Sequence, residues 1–214
     1  PSSPPPPPPP PNPPPRCIPL ISTGLPLPLP PSPYRPLIMG ILNLTPDSFS
    51  DGGLDRSVFG PSTGVARAVA RAARMVADGA DIIDIGAEST RPGAGRVYDD
   101  VQIDRIVPVL AGIRSHVDER VRRVAVSVDT RSAEVARVCL ERGADIVNDV
   151  SGGRYDGGMY GVVAEFGCGY VCMHSRGTPR DMQSDGNVDY SEWDGGVGEG
   201  VGEELEERVR IMGE

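Results

Sequence analysis

Gly79-Ala-Asp-Ile-Ile-Asp84 returns later in the chain, with two changes, as Gly143-Ala-Asp-Ile-Val-Asn148. In both copies a glycine closes a helix-length stretch and a short apolar run follows at once, the junction by which a βα repeat re-enters its sheet. Working outward from this pair, similar apolar runs occupy Leu37 to Asn43, Asp81 to Gly86, Val124 to Asp129, Asp145 to Val150 and Tyr170 to His174. Runs this continuously apolar predict strands buried on both faces, as in a parallel sheet covered by helices.

The stretches between them carry helical periodicity. Val65, Val69, Ala72 and Val76 recur at i, i+4, i+7 and i+11, with Arg67, Arg71 and Arg74 on another face. Ile103, Ile106, Leu110, Ile113 and Val117 form a second stripe, and Val197, Val201, Leu205 and Val209 a third at i+4 spacing. Each predicts an amphipathic helix laid on the sheet by its apolar side. A barrel and a doubly wound sheet both fit the alternation, but no Gly-rich dinucleotide loop follows the first strand, which favours the barrel. The strands finish in polar residues: Asn43, the Glu88-Ser89-Thr90-Arg91 run, Asp129, Asn148 with Asp149, and His174. In a parallel barrel those ends share one rim, where chemistry is sited.

Composition divides the 214 residues unevenly, since 19 of the 24 prolines precede residue 37. Pro1 to Pro36, with its proline run and alternating Leu-Pro, reads as a disordered polyproline arm, and the composition boundary falls near Tyr34. The arm fits a ligand for a proline-binding module, a linker, or a misassigned gene start, and residues 37–214 are expected to form one barrel domain. The net charge of −9 is accounted for by 11 acids against two arginines between Asp181 and Glu214. From Asp181 to Gly202 only a loop or a solvated helix start is legible. No basic stripe with interleaved aromatics and no apolar run of ~20 residues occurs, so neither nucleic acid nor a membrane is an expected partner. All 21 cationic residues are arginine, which excludes Schiff-base chemistry through a lysine amine. Cys17, Cys139, Cys168 and Cys172 form no CxxC pair and read as reduced thiols. Cytoplasm is the default compartment, with a mitochondrial address as the alternative.

Met39-Gly-Ile-Leu-Asn-Leu-Thr-Pro-Asp-Ser-Phe-Ser-Asp-Gly-Gly53 is the stretch richest in chemistry: a strand delivers Asn43 to the rim, then opens into a polar loop. An amide oxygen with carboxylates nearby suits Mg²⁺, although a loop of Asx turns accounts for the same residues. His116 and His174 fall on different elements and do not make a metal site; His116 reads as a surface residue.

Together with Asp84-Ile-Gly-Ala-Glu-Ser-Thr-Arg-Pro-Gly93, that stretch resembles the two signature segments of the dihydropteroate synthase family. Ser127-Val-Asp-Thr130, Asn148-Asp-Val-Ser-Gly-Gly153 and Met173-His-Ser-Arg-Gly-Thr-Pro179 follow in the family's order, so the resemblance runs from Leu37 to Arg210. The wording is most similar to the synthase portion of fungal multifunctional folate-biosynthesis enzymes. The resemblance implies a TIM (β/α)8 barrel, here roughly its first five βα units, and a transferase. That transferase condenses 6-hydroxymethyl-7,8-dihydropterin diphosphate with p-aminobenzoate. It also implies Mg²⁺ as cofactor, held by Asn43 with help from Asp51, and diphosphate held by Thr90 and Arg91. Arg91 and Asp51 are then the catalytic candidates. Phe49 and Pro92 would line the p-aminobenzoate pocket, Asp129 and Asn148 would read the pterin edge, and Met173 would pack on the ring. A homodimer is the assembly the resemblance leaves open.

The family pattern continues beyond the last helical stripe into strands bearing Asp-Pro-Gly, Ser-Arg-Lys and Arg-x-His motifs, and none of these follows that stripe here. The chain is therefore expected to be C-terminally incomplete, with two open sheet edges and an open inner face. A non-catalytic pterin or pyrophosphate binder, or an incomplete gene model without a stable product, are the alternatives to a working synthase.

Overall fold

The computed structural model of the chain describes residues 17–28, 36–45, 61–88, 95–178 and 181–213. Five parallel strands, β3 (Met39–Asn43), β4 (Ile82–Gly86), β5 (Ala125–Asp129), β6 (Ile146–Asp149) and β7 (Gly169–Cys172), pair in the order in which they occur in the chain. Sequential order without a reversal point is barrel topology; a doubly wound sheet would change direction partway. Helices α1 (Pro61–Ala77), α2 (Asp99–Arg114), α4 (Ala133–Glu141) and α5 (Met159–Phe166) connect the strands, with the short α3 (Glu119–Arg122) leading into β5.

Side chains alternate across each strand, so the sheet has two differently furnished faces. On the outer face Leu42, Ile83, Ile85, Val126, Val128 and Val147 pack against Ala68 and Ala72 of α1, Ile106, Leu110 and Ile113 of α2, and Val135, Ala136 and Leu140 of α4. These residues are almost wholly buried, and each large aliphatic side chain contributes roughly 1.5–3 kcal/mol. α4 and α5 carry no long apolar stripe in the sequence. Local signals mark them instead: Ser132 accepts a hydrogen bond from Val135 N at the start of α4, and Gly167 closes α5 in the left-handed region at φ 59°.

Within the stretch Pro1 to Pro36, expected to be a disordered arm, residues 17–28 form regular structure, and residues 1–16 and 29–35 lie outside the described residues. β1 (Cys17–Pro19) and β2 (Pro26–Pro28) form an antiparallel hairpin in which Ile18 faces Leu27. Leu-Pro alternation has the two-residue period of a strand, although its prolines favour polyproline II, and an isolated edge tolerates the missing N–H groups. Ile18, Leu20 and Leu27 pack on Met39, Ile82, Ala125 and Ile146, the first inner-face residues of β3 to β6. The hairpin is thus an apolar floor at the end of the sheet opposite the polar rim. Gly169 admits it, because a Cβ there would lie 2.5 Å from Ile18 Cγ2.

A buried ion pair ties that floor to the strands. The fully buried Asp145 carboxylate accepts Arg114 Nη2 at 2.7 Å, Val126 N at 3.0 Å and, on its other oxygen, Ser22 N of the hairpin turn at 2.8 Å. Arg114 also donates to the carbonyls of Gly143 and Val124, so one cation closes the ends of α2, β5 and the turn before β6.

α7 (Gly196–Met212) forms where its stripe predicts a helix, but a different face is buried. Val197 and Val209 are 59% and 60% exposed, whereas Arg208 is only 5% exposed and donates to the carbonyls of Met173 and Ser175. Glu204, one turn earlier, accepts from Arg176 and pairs with His174 Nε2 at 2.6 Å. α7 docks through charged hydrogen bonds to the segment after β7, a contact invisible to apolar periodicity. Within the stretch read as loop, the short α6 (Asp185–Val188) also forms. His116 lies just beyond α2, where its Nδ1 accepts Asp118 N. Among the described residues no helix is long and apolar enough to cross a membrane.

Asp145→Ala leaves Arg114 without its carboxylate and frees Ser22. It is expected to lower the unfolding free energy by about 3–5 kcal/mol, measured by urea denaturation, and to expose residues 17–28 to limited proteolysis.

Candidate active site

Strand register assembles the site on the inner face. Asn43 pairs with Gly86, Gly86 with Asp129, Asp129 with Asn148 and Asn148 with Val171, so these residues form one row across the C-terminal ends of β3 to β7. Three expected site residues, Asn43, Asp129 and Asn148, therefore share a row. The row beneath runs Ile41, Asp84, Ser127, Ile146 and Gly169. Gly86 leaves a gap that the Asp129 carboxylate enters: a Cβ at Gly86 would sit 3.1 Å from Asp129 Oδ2.

These polar groups are poorly solvated. Asp84 is 4% exposed and receives Asn148 Nδ2 on its Oδ2 at 3.2 Å. Burial pushes the Asp84 carboxyl above its ordinary range, opposed by Ser127 and Asn148. The Ser127 contact falls short of hydrogen-bond geometry, and Asp84 Oδ1 and Ser127 Oγ have no hydrogen-bond partner among the described residues. Asp129 is pushed up to about 7, first by burial and then by the negative charges of Asp84, Glu88 and Asp149, with Arg131 pulling the other way. A carboxyl poised there can accept from a ligand N–H when ionised or share a proton when not.

An ion pair between the segments just beyond β4 and β5 braces the rim. Glu88, 8% exposed, accepts Arg131 Nη2 at 2.7 Å and Val97 N at 3.0 Å. The backbone on both sides of residues 89–94 is thereby fixed. The Arg131 guanidinium lies over the Tyr155 ring, 4.4 Å from its centroid. Asp149 points to the other face from Asn148 and is structural: its oxygens accept Ser151 N, Ser151 Oγ, Gly153 N and the Tyr170 hydroxyl, which folds the turn after β6. Gly152 and Gly153 take φ of 58° and 79° there, and Cβ atoms would collide with Met173 O at one and the Tyr160 ring at the other.

Met173, one residue beyond β7, is exposed and lines a cleft of about 480 Å³ together with Arg131, Tyr155, Ser175, Arg176 and Met182. His174 faces away into its pair with Glu204. Asp51, Phe49, Thr90, Arg91 and Pro92 lie outside the described residues. Asp84, Ser127 and the Glu88–Arg131 pair were given no site role on sequence grounds. Their signal is a polar residue at an inner-face position of an otherwise apolar strand, Ile-Ile-Asp84-Ile and Val-Ser127-Val-Asp129, and two-residue periodicity applied to adjacent strands would have found it.

A family described as pterin binding enzyme matches residues 39–211. The chain is 47% identical to a folate synthesis bifunctional protein of Arabidopsis thaliana over 173 residues, 81% of this chain and 33% of that protein. A mitochondrial protein of the same description from Pisum sativum is 46% identical over 176 residues, 82% of this chain and 32% of that one. Dihydropteroate synthase of Streptococcus pyogenes is 48% identical over 139 residues, 65% of this chain and 48% of that enzyme. Among solved structures, Xanthomonas albilineans dihydropteroate synthase with 4-aminobenzoic acid superposes with a TM-score of 0.67 at 34% identity, over 90% of this chain and 60% of that one. The Yersinia pestis synthase in a sulfonamide drug complex does so with a TM-score of 0.69 at 34% identity, over 89% and 61%. The chain thus spans about three-tenths to three-fifths of the length of the relatives it matches. With the matched family covering β3 through α7 and its solved relatives sharing the fold, the chain belongs to the pterin-binding enzyme family.

Proposed function

We propose that the chain forms the pterin-binding part of a dihydropteroate synthase. The reaction joins 6-hydroxymethyl-7,8-dihydropterin diphosphate and p-aminobenzoate into 7,8-dihydropteroate, with release of diphosphate, in folate biosynthesis. The observation that carries this reading is the adjacency of Asp129 and Asn148 in the inner-face row, in a poorly solvated setting. The N–H edge of a pterin needs a carboxylate and an amide oxygen in a dry site, and Met173 offers a soft thioether for its flat face.

In the transfer the bond between the pterin methylene carbon and the diphosphate oxygen breaks, and its electron pair leaves with diphosphate. The arylamine nitrogen bonds to that carbon and gives up a proton. Asp129 and Asn148 hold the ring during this exchange, and the hairpin floor and outer helices exclude water from behind it. Asn43 ends β3 with its side chain exposed in the same row, and its amide oxygen fits a hard cation such as Mg²⁺. Bound there, Mg²⁺ would neutralise the charge of the leaving diphosphate. Asp51 assisting the cation, Thr90 and Arg91 on diphosphate, and Phe49 and Pro92 around p-aminobenzoate complete the proposal on sequence grounds. A homodimer is the assembly we assign by the same resemblance. The free thiols fit a reducing compartment, with cytoplasm as the default and the mitochondrion as the alternative. Burial pushes Cys139 up to about 12 and Cys168 to about 11, which leaves both unreactive.

A second reading is a pterin or diphosphate binder without turnover, in which Asp129 and Asn148 hold a ring that is not transferred. Purified chain supplied with Mg²⁺, the pterin diphosphate and p-aminobenzoate separates the two. Dihydropteroate formation supports the synthase, pterin binding without product supports the second reading, and calorimetry showing no pterin binding removes both.

Pterin affinity is expected to rise as pH climbs toward about 7, by up to roughly tenfold per unit, and to level off above it as Asp129 completes ionisation. Asp129→Asn should flatten that profile. The unliganded protein follows the opposite trend. The Asp129 carboxyl holds its proton to about 7 when folded and to 3.8 when unfolded, so its contribution to stability is full below 3.8 and is lost as pH rises through about 7. Calorimetric titrations and thermal melts between those limits check both signs.

A further inference from the structure

We propose that Asp84 is a positioning residue: it fixes which end of the Asn148 amide faces the ligand, and so makes the row above it selective for ring edges that present N–H donors. The proposal rests on the pterin reading of Asp129 and Asn148 and adds a specificity determinant beneath them.

Asp84 is a carboxyl group in the middle of a strand whose residues are all buried, one row below Asn148 and two strands away. Its Oδ2 accepts Asn148 Nδ2 at 3.2 Å. A carboxylate accepts and does not donate, so it can take only the NH₂ end of an amide; the reversed amide would set two acceptors against each other in a buried place. With Nδ2 engaged below, Oδ1 is the end left for the row above. There it stands beside Asp129, its register partner on the next strand and a second acceptor.

Two buried polar atoms that have no partner among the described residues lie beside this contact. Asp84 Oδ1 and Ser127 Oγ belong to register-paired residues of β4 and β5. Ser127 Oγ neighbours Asp84 Oδ1 without reaching hydrogen-bond geometry, so the one contact of the carboxyl with the row above runs through Oδ2 and Asn148. The ionised carboxyl, an acceptor at both oxygens, is the form that locks the amide. A row of two acceptors suits an edge bearing an amino group and a ring N–H, and opposes an edge bearing a carbonyl at the same place.

Two probes that differ there are pterin and lumazine, in which the 2-amino group is replaced by a carbonyl. Calorimetric titration of the full chain is expected to show pterin binding roughly tenfold or more tighter than lumazine. Asp84→Asn keeps the shape but can donate as well as accept, so Asn148 is free to reverse, and the ratio should fall to within about threefold. Ser127→Ala should keep most of it. A second measurement needs no variant: in ¹H–¹⁵N spectra of the free protein, the Asn148 side-chain amide protons should exchange slowly, as buried donors do. A wild-type preference that persists in Asp84→Asn, or fast-exchanging Asn148 amide protons, would overturn this inference while leaving the pterin reading intact. Failure of the wild-type chain to bind either probe would overturn both.

Discussion

Two-residue alternation along strands buried on both sides is the constraint from which the rest of the structure follows. Ile83, Ile85, Val126, Val128 and Val147 must face the helices, and this places Asp84, Ser127, Asp129 and Asn148 on the opposite side. A slip of one residue in β5 would drive Asp129 into an aliphatic core and expose Val126 and Val128, a double penalty that holds the register. Asn148 and Asp149 show the rule at its sharpest. Neighbours in sequence, they face opposite ways, one onto the inner face beside Asp84 and the other into the turn that it folds.

The inner face is itself divided along the strands. Its lower end is apolar and stopped by the hairpin, while its upper rows carry carboxyl, amide and hydroxyl groups. These halves depend on each other. Above the floor, burial and the neighbouring carboxylates lift the Asp129 carboxyl to about 7, and Asp84 Oδ1 and Ser127 Oγ have no partner among the described residues. Arg114 and Asp145 join the floor to the outer layer, so one ion pair distant from the rim supports the dryness of the site. Glu88 and Arg131 brace the rim from outside in the same manner.

The five strands and the shared row of Asn43, Asp129 and Asn148 were legible in the sequence because parallel strands are continuous in apolar residues and their polar ends stand out. Three features were not. Over residues 25–28 the proline content favours a polyproline helix while the two-residue alternation favours a strand, and the contacts of Ile18 and Leu27 decide between them. Valine spacing in α7 predicts its buried side wrongly, since Arg208 and Glu204 bind backbone carbonyls and charged groups that have no period in the sequence. The partnership of Asp84 with Asn148 joins residues 64 apart through register, which single-strand patterns do not encode.

A crystal structure of the chain soaked with pterin tests the site most directly. The ring should lie on the inner face with its N–H edge on Asp129 Oδ and Asn148 Oδ1 and one face against Met173. A ring seated elsewhere, such as the groove between Tyr160 and α7, or an Asn148 amide turned with Nδ2 toward the ligand, would contradict the arrangement derived from the strands.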